Sequence, residues 1–149
     1  MNESAQSQPV AVRPDVWTAA VRRAWQSAGL RITEPRERVL AAIVRFRTPF
    51  SAEQLYAELP ETGRATVYRT LEQLHTTGWV ARIHAQGGED GYVASYPGHM
   101  HHLVCTNCGA VVIFEGCVVD ALVDELARQT SFAIEGHLLQ LYGRCERCR

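Results

Sequence analysis

The chain has 149 residues, 46% of them hydrophobic, and a formal net charge of −1 at pH 7. This length suits one domain or two small ones, and the hydrophobic share is normal for a chain that buries a core. No apolar run approaches the roughly 18–20 residues that cross a bilayer, and the N-terminus carries no secretory signal pattern. We therefore expect a cytoplasmic protein with no membrane partner, in which thiols stay reduced.

The first thirteen residues are polar and show little apolar periodicity, which predicts a flexible tail over residues 1–13. A first helix is predicted from Pro14, because apolar residues then recur three and four positions apart, and Gly29 is suited to end it. A second helix is predicted to open at Thr33, two residues before Pro35.

Two further helices and a hairpin complete the N-terminal part. Ser51 and Gln54 form a capping-box pattern for a short third helix, and a fourth helix is predicted over about 64–75. Two alternating apolar stretches then flank the turn-forming run QGGEDG, which predicts a β-hairpin. Helices followed by a hairpin are the order of a winged helix-turn-helix, to which we assign residues 14–96.

Beyond residue 97 the sequence pattern changes. HHLVC, AVVIFEG and HLLQLYG have the pattern of strands, and VVDALVDELARQ has that of a helix. The predicted fold class is therefore α+β, with a small C-terminal α/β domain over residues 97–149. Ten Arg and seven acidic residues lie between Pro14 and His84, whereas four Arg and six acidic residues follow Pro97. The near-zero net charge thus averages a mildly basic part and an acidic part.

The fourth helix carries groups suited to DNA near its N-terminal end, where a recognition helix enters the major groove. Arg can contact guanine or phosphate, Thr a thymine methyl group, and the Tyr hydroxyl a phosphate or a base. The predicted DNA-binding residues are Arg64, Thr66, Tyr68 and Arg69. The alternative is a solvated, Arg-bearing face on an ordinary helical domain, since this part of the chain is only weakly basic.

Two CxxC pairs carry the strongest chemical signal: Cys105 with Cys108, and Cys145 with Cys148. Each pair brings two thiolates to one tight turn, and two such turns can complete a tetrahedral zinc shell. A structural zinc is therefore predicted, the alternative being a redox CxxC or incidental cysteines. The fifth cysteine, Cys117, is interpreted as a small core residue or a free thiol, with a metal role as the minority alternative.

A histidine cluster precedes the first cysteine pair. On a strand, His99 and His101 face the same side, and they offer two imidazoles that need one or two further ligands. Asp120 and His137 are the candidates, and such a ligand set suits Zn²⁺, Fe²⁺, Mn²⁺ or Ni²⁺. The alternative is a histidine-rich surface loop.

Together these motifs resemble the ferric uptake regulator family of metal-responsive repressors. The likeness covers GLRITEPRERVLAAI, SAEQLYAEL, ATVYRTLEQL, HMHHLVCTNCG and LYGRCERC. It implies a homodimer of winged-helix and dimerisation domains, which metal closes onto a palindromic operator in double-stranded DNA. Carried over by position, it implies structural zinc at the four paired cysteines and a regulatory metal at His99, His101, Asp120 and His137. It also assigns the recognition-helix contacts to the tyrosine and arginine of ATVYRTLEQL.

A further metal site of the family, at the hinge between the domains, departs here from its usual ligand pattern. The residues that depart are Pro49, Phe50, Val93, Ser95 and Met100. A hinge site would then rest on His84 and His102, with Glu89 or Asp90 conceivable. Glu37 stands where the peroxide-sensing subgroup has a histidine, which disfavours that subgroup.

We interpret the protein as a metal-dependent transcriptional repressor of metal homeostasis genes. It is similar to the zinc uptake regulator subgroup, because its regulatory ligands are rich in nitrogen. An iron-, manganese-, nickel- or peroxide-responsive member of the family is the alternative. A zinc hydrolase or deaminase needs an open zinc position and a placed base, and the chain has no H-x-E motif, so we predict that it is not an enzyme. A metal-storage module without DNA contacts is a third interpretation.

Overall fold

The computed structural model describes residues 8–117 and 119–149. This part contains five α-helices, six strands and a short 3-10 helix at Glu146–Cys148. The helices are α1 (Pro14–Ser27), α2 (Glu34–Ile43), α3 (Ala52–Ala57), α4 (Arg64–Thr76) and α5 (Asp120–Thr130). The strands are β1 (Gln8–Val10), β2 (Val80–Ile83), β3 (Gly91–Ala94), β4 (Met100–Cys105), β5 (Val111–Glu115) and β6 (Gln140–Gly143).

The four N-terminal helices and the β2–β3 hairpin share one apolar core. Helical spacing turns one apolar face of each helix inward, and every one of these helices contributes buried side chains. They include Trp17, Leu40, Leu55 and Leu74. The Trp17 indole N–H donates to the Ser95 carbonyl at 2.7 Å, so α1 is fixed to the chain just after the hairpin. The order of elements is that of the predicted winged helix-turn-helix.

Local chemistry explains two of the turns around α3. The Ser51 hydroxyl accepts from the Gln54 amide at 3.1 Å, and the Gln54 side-chain carbonyl accepts from the Ser51 amide at 2.7 Å, which completes the predicted capping box. Gly91 opens β3 where the loop before α3 passes closely. A Cβ at this position would lie 2.7 Å from the Pro49 Cβ, so glycine is required for the two segments to approach.

The C-terminal sheet has the strand order β1-β5-β4-β6. β4 and β5 are antiparallel, with Met100 opposite Glu115, whereas β6 is parallel to β4, with Cys105 opposite Gly143. Parallel pairing requires a crossover, which α5 and the irregular segment 131–139 provide. None of the described residues of α5 is buried. Within residues 8–117 and 119–149, no helix is both long and apolar enough to cross a bilayer.

The N-terminal tail differs from its prediction. Residues 1–7 lie outside the described part of the chain, but Gln8–Val10 form β1 and pair antiparallel with β5, with Val10 opposite Ile113. The prediction of a flexible segment is therefore wrong for these three residues. The edge of β5 supplies backbone hydrogen-bond partners, and these order a segment that has little apolar pattern of its own.

Two side chains of β6 connect the hairpin to the C-terminal sheet. The Gln140 amide donates to the Arg82 carbonyl at 2.7 Å and accepts from the His84 amide at 3.0 Å. The Tyr142 hydroxyl donates to the His84 carbonyl at 2.6 Å. The two parts of the molecule are thus joined by hydrogen bonds between β6 and the end of β2.

Candidate metal centres and nucleic-acid interface

The two predicted CxxC pairs meet at one end of the C-terminal sheet. Cys105 ends β4 and Cys108 lies on the turn that follows, while Cys145 and Cys148 come after β6. Because β6 runs parallel to β4, both turns leave the sheet at the same end. The four sulfur atoms lie within 4.8 Å of one another. We call this group the cysteine cluster.

The sulfur spacing fits a tetrahedral zinc ion. A Zn–S distance of about 2.3 Å separates two sulfurs by about 3.8 Å in tetrahedral geometry, and the Cys108 and Cys145 sulfurs are 3.7 Å apart. All five thiols in the described residues are free of disulfide bonds. Backbone N–H groups, above all those of Cys108 and Cys145, lower the pKa of the Cys105 thiol to about 5. A thiolate is therefore available to a metal at neutral pH.

A second group of ligands lies at the opposite end of β4. The ligand atoms of His99, His101, Cys117 and His137 all lie within 4.8 Å of one another. The ring centroid of His99 is 4.5 Å from that of His137 and 4.6 Å from that of His101. Three imidazoles and one thiol therefore surround a small volume, which we call the histidine cluster.

His101 is the buried member of the histidine cluster, with 2% of its surface exposed. Neither of its ring nitrogens has a hydrogen-bond partner among the described residues. Burial lowers the pKa of His101, and the neighbouring His99 and His137 lower it further, so the imidazole is neutral and can bind a metal. An unpartnered buried polar group costs roughly 1–3 kcal/mol. A metal ion bound to His101 would remove part of that cost.

The histidine cluster differs from the predicted ligand set at one position. Asp120, the predicted carboxylate ligand, begins α5 and is not one of the clustered ligand atoms in the described residues. Cys117 is a member instead, and its sulfur is 3.3 Å from His137 Nε2. Burial raises the pKa of the Cys117 thiol, and the nearby Asp120 carboxylate raises it further.

The position of Cys117 was missed by the sequence analysis, which favoured a core residue or a free thiol. The signal that could have located it is the strand register. Met100 pairs with Glu115 across β4 and β5, so the residues just beyond this pair, at His99 and after Glu115, leave the sheet side by side. Counting along a predicted antiparallel hairpin would have brought Cys117 next to the histidines.

The hinge candidates do not share a ligand group among the described residues. His84 Nδ1 is 2.9 Å from the Asp90 carboxylate in the exposed hairpin. His102 is buried, and its Nε2 lies 3.5 Å from the Ser95 hydroxyl. Burial lowers the pKa of His102 to about 4. A hinge site built from His84 and His102, with Glu89 or Asp90, stays a prediction whose two histidines have different neighbours.

The first turns of α4 carry the predicted DNA-binding residues on an exposed surface. The Arg64 guanidinium lies near two aromatic rings, 5.3 Å from the centroid of Tyr56 and 5.2 Å from that of Tyr68. Arg64 and the Tyr68 hydroxyl both donate to the Glu53 carboxylate on α3. An acidic side chain from another helix thus holds two of the predicted DNA contacts, and the sequence analysis missed it.

Thr66 and Arg69 lie on a separate cleft of about 270 Å³ between α4 and the start of α2. Its other lining residues are Arg31, Thr33, Arg36 and Thr70. The Arg36 guanidinium donates to the Arg31 carbonyl at 2.7 Å and lies 5.6 Å from the centroid of the Trp25 ring. Three guanidinium groups around one cleft are suited to a phosphate oxygen.

The sequence and the fold are similar to those of known proteins. A sequence model of the ferric uptake regulator family matches residues 27–142. The chain belongs to this family. A ferric uptake regulation protein of Vibrio anguillarum is 38% identical over 128 residues, which cover 83% of this chain and 86% of that protein.

Solved structures agree with this membership. The Vibrio cholerae ferric uptake regulator is 37% identical, with a TM-score of 0.57 over 84% of this chain and 99% of that one. The structure of holo XcZur is 27% identical, with a TM-score of 0.72 over 89% of this chain and 96% of that one. The predicted α+β fold is therefore confirmed.

Ferric uptake regulators are metal-responsive, DNA-binding transcription regulators rather than enzymes, so the prediction that the chain is not an enzyme is confirmed. The matched proteins include regulators named for ferric uptake and a holo structure named Zur. The family therefore establishes the class of protein, and the regulatory ion has to be argued from this chain's own ligands.

Proposed function

We propose that this ferric uptake regulator is a zinc-responsive repressor of metal homeostasis genes, which binds a palindromic operator as a homodimer. One zinc ion would be structural, in the cysteine cluster, and a second, labile zinc ion would be regulatory, in the histidine cluster. The observation that carries the proposal is the buried, unpartnered imidazole of His101 beside two further histidines. Imidazole-rich ligand sets suit zinc, whereas manganese favours carboxylate and water oxygens.

The structural ion would lock the end of the C-terminal sheet. The Thr106 amide donates to the Gly143 carbonyl at 2.8 Å, so the two cysteine turns are held together by the backbone as well. A shell of four thiolates leaves no open coordination position, which suits a structural role and excludes activation of water.

An exposed apolar surface supports the homodimer. Helix α5 and the chain from there to β6 carry large apolar side chains that a single chain leaves open, namely Leu122, Leu126, Phe132, Ile134, Leu138 and Leu141. Phe132 is 73% exposed and Leu138 is 66% exposed, and several large apolar side chains left open on one part of a protein are typical of an interface. A symmetric pair would present two α4 helices to half-sites one DNA turn apart.

The regulatory ion would act through the connection between β6 and the hairpin. His99 and His101 follow the hairpin closely, and His137 precedes β6. An ion bound to all three would hold residues 95–99, between β3 and β4, against the C-terminal sheet. The hydrogen bonds of Gln140 and Tyr142 would then hold the end of β2 in a fixed position relative to that sheet. Restricting the winged helices removes an ordering cost from DNA binding, so zinc affinity and DNA affinity become coupled.

Operator binding at fixed salt tests this proposal. The operator would be selected from random DNA, and its affinity measured by fluorescence anisotropy before and after mild chelation reduces two zinc ions per chain to one. We expect the affinity to fall roughly 5–150-fold, which corresponds to a coupling of about 1–3 kcal/mol, and to recover when zinc is added. Affinity that does not change on chelation would contradict metal dependence, and recovery with iron(II) but not with zinc would favour an iron regulator.

The double variant Tyr68→Ala, Arg69→Ala is the matched control for DNA contact. Neither residue belongs to a ligand cluster, so both zinc ions should be retained. We expect the operator affinity to be lost. Unchanged affinity in this variant would indicate that α4 is not the DNA-reading element, and a protein that binds no DNA at all would favour metal storage.

A further inference from the structure

We propose that the Cys117 thiolate, and not the Asp120 carboxylate, is the fourth ligand of the regulatory ion. The site would then hold three nitrogens and one sulfur, and it would select zinc against manganese. This inference rests on the proposed function, because it names the ligands and the selectivity of the same regulatory site.

The geometry of the thiol matches a shared ion. With Zn–N of about 2.0–2.1 Å and Zn–S of about 2.3 Å, tetrahedral ligands place nitrogen and sulfur about 3.6 Å apart. The Cys117 sulfur lies 3.3 Å from His137 Nε2. All four ligand atoms of the histidine cluster lie within 4.8 Å of one another. Small side-chain rotations would bring the four atoms onto one ion.

The second observation comes from His101, which is independent of the cysteine. His101 has 2% of its surface exposed, and both of its ring nitrogens lack a hydrogen-bond partner among the described residues. Its two histidine neighbours and the thiol of Cys117 are the groups that share its ligand volume. Buried polar atoms in folded proteins are almost always satisfied, so an unsatisfied imidazole beside a thiol and two more imidazoles is suited to binding a cation.

Asp120 has a different position and a different task. It is the first residue of α5, where a carboxylate is stabilised by the helix dipole. There its carboxylate lies close enough to the Cys117 thiol to raise the pKa of that thiol further than burial alone does, and it would orient the sulfur towards the cluster. When the ion binds, the metal–sulfur bond replaces the S–H bond and the proton leaves to solvent. Asp120 is therefore a positioning residue for the ligand.

The selectivity follows from having the Cys117 sulfur, instead of an Asp120 oxygen, as the fourth ligand. Thiolate and imidazole are soft and borderline ligands that suit zinc and cobalt(II), whereas manganese favours oxygen ligands. Removing the thiolate should therefore weaken zinc binding much more than manganese binding. We expect Cys117→Ser to lower the ratio of zinc affinity to manganese affinity by at least about tenfold, since loss of even a supporting group costs roughly 10–100-fold in metal affinity.

Cobalt(II) substitution of the labile site provides the direct test. The probe is Co²⁺ added to full-length protein whose cysteine cluster retains zinc and whose second site has been emptied by mild chelation. A thiolate-to-cobalt charge-transfer band should appear in the near ultraviolet. It should be absent in Cys117→Ser and present in Asp120→Asn, and His137→Ala should reduce cobalt binding itself.

The zinc affinities of two variants distinguish a residue that binds the ion from one that only supports a ligand. Loss of a residue that only hydrogen-bonds to a ligand typically costs roughly 10–100-fold in metal affinity. We expect Asp120→Asn to stay within that range and Cys117→Ser to exceed it. In the unchanged protein, labile zinc should also protect Cys117 from alkylation. Mass spectrometry measures this protection, and the measurement needs no substituted protein.

Two outcomes would overturn the inference. One is a cobalt spectrum without a charge-transfer band in the unchanged protein, and the other is alkylation of Cys117 that labile zinc does not slow. If either occurs while chelation still weakens operator binding, the proposed function stands with a different fourth ligand. Operator affinity that is the same with and without labile zinc would instead contradict the proposed function. The cobalt spectrum would still show whether Cys117 is a ligand.

Discussion

The two halves of the chain bury their side chains to very different extents. In the N-terminal half, Trp17, Leu55 and Leu74 have none of their surface exposed and belong to one core. In the C-terminal half, none of the described residues of α5 is buried. Among the residues that the structure describes, nine large hydrophobic side chains are exposed, and eight of them lie between Leu103 and Leu141. The first half is therefore stabilised by its own core, whereas the second would depend on the proposed metal and on a second copy.

Typical magnitudes support this division. Burying one large apolar side chain contributes about 1.5–3 kcal/mol, and many such residues lie in the N-terminal core. A structural zinc contributes an apparent 10–16 kcal/mol, which is comparable to the whole stability of a domain, about 5–15 kcal/mol. One ion in the cysteine cluster can thus replace much of the apolar burial that the C-terminal half lacks.

The substitution Cys145→Ser should separate the two halves most strongly. Loss of one thiolate should release the structural zinc and unfold the C-terminal sheet, while the N-terminal half keeps its helices. Zinc content and hydrogen exchange measured by mass spectrometry would check this, with low protection expected for β4 to β6 and high protection for α1 to α4. Cys117→Ser is the control, because it should retain the structural zinc. Uniform protection in Cys145→Ser would contradict the idea that metal stabilises this half.

The substitution Leu138→Asp should break the dimer without removing zinc. A charge placed on the exposed apolar surface cannot be buried against a second copy at low cost. We expect the molecular mass in sedimentation to fall from two chains to one and operator affinity to fall at least about 100-fold, because a single winged helix contacts only one half-site. Gln26→Asp is the control, since this residue is exposed and polar and lies on α1, outside the apolar surface. A monomeric unchanged protein would remove the basis of the prediction.

The sequence allowed the locally encoded features to be predicted. The capping box of Ser51 and Gln54, the helix that begins at Arg64 and the two CxxC pairs are each defined within a few residues. These features depend on residues that are close together in the sequence and little on tertiary packing, so residue spacing was sufficient to predict them.

The features that the sequence analysis missed all depend on pairing between distant segments. β1 is ordered because it lies along β5, and the position of Cys117 follows from the register of β4 with β5. The contact of Glu53 with Arg64 and Tyr68 depends on how α3 packs on α4. The contacts of β1 and Glu53 require the packed fold, whereas Cys117 could have been located only by assuming the register of β4 with β5.

The connection between the halves can be weakened by Tyr142→Phe. This change removes the hydroxyl that donates to the His84 carbonyl, a bond of about 0.5–1.5 kcal/mol. We expect the effect of labile zinc on operator affinity to shrink about 2–10-fold while zinc affinity stays unchanged. Anisotropy titrations with and without labile zinc would measure both quantities. If zinc still changes operator affinity by the original factor, the coupling runs through another contact.

The smallest effect is expected from Glu53→Gln, which acts within the N-terminal half alone. Glu53 holds Arg64 and Tyr68 through hydrogen bonds, and the bond to Tyr68 raises the pKa of its hydroxyl. Removing the acid should free both side chains for DNA and remove a negative charge from the DNA-facing surface. Because exposed ion pairs are worth about 0.2–1 kcal/mol, operator affinity should rise up to about fivefold.

The salt dependence of this variant gives the sharper measurement. If Arg64 gains one phosphate contact, the slope of log affinity against log salt should steepen by about 0.9. Glu58→Gln is the matched control, since that carboxylate pairs with Arg45 and not with α4. The ratio of affinities with and without labile zinc should be the same as in the unchanged protein. Lower operator affinity in Glu53→Gln would mean that the acid orients Arg64 and Tyr68 for DNA. A change in the ratio of operator affinities with and without labile zinc would mean that metal binding affects α4 through this contact.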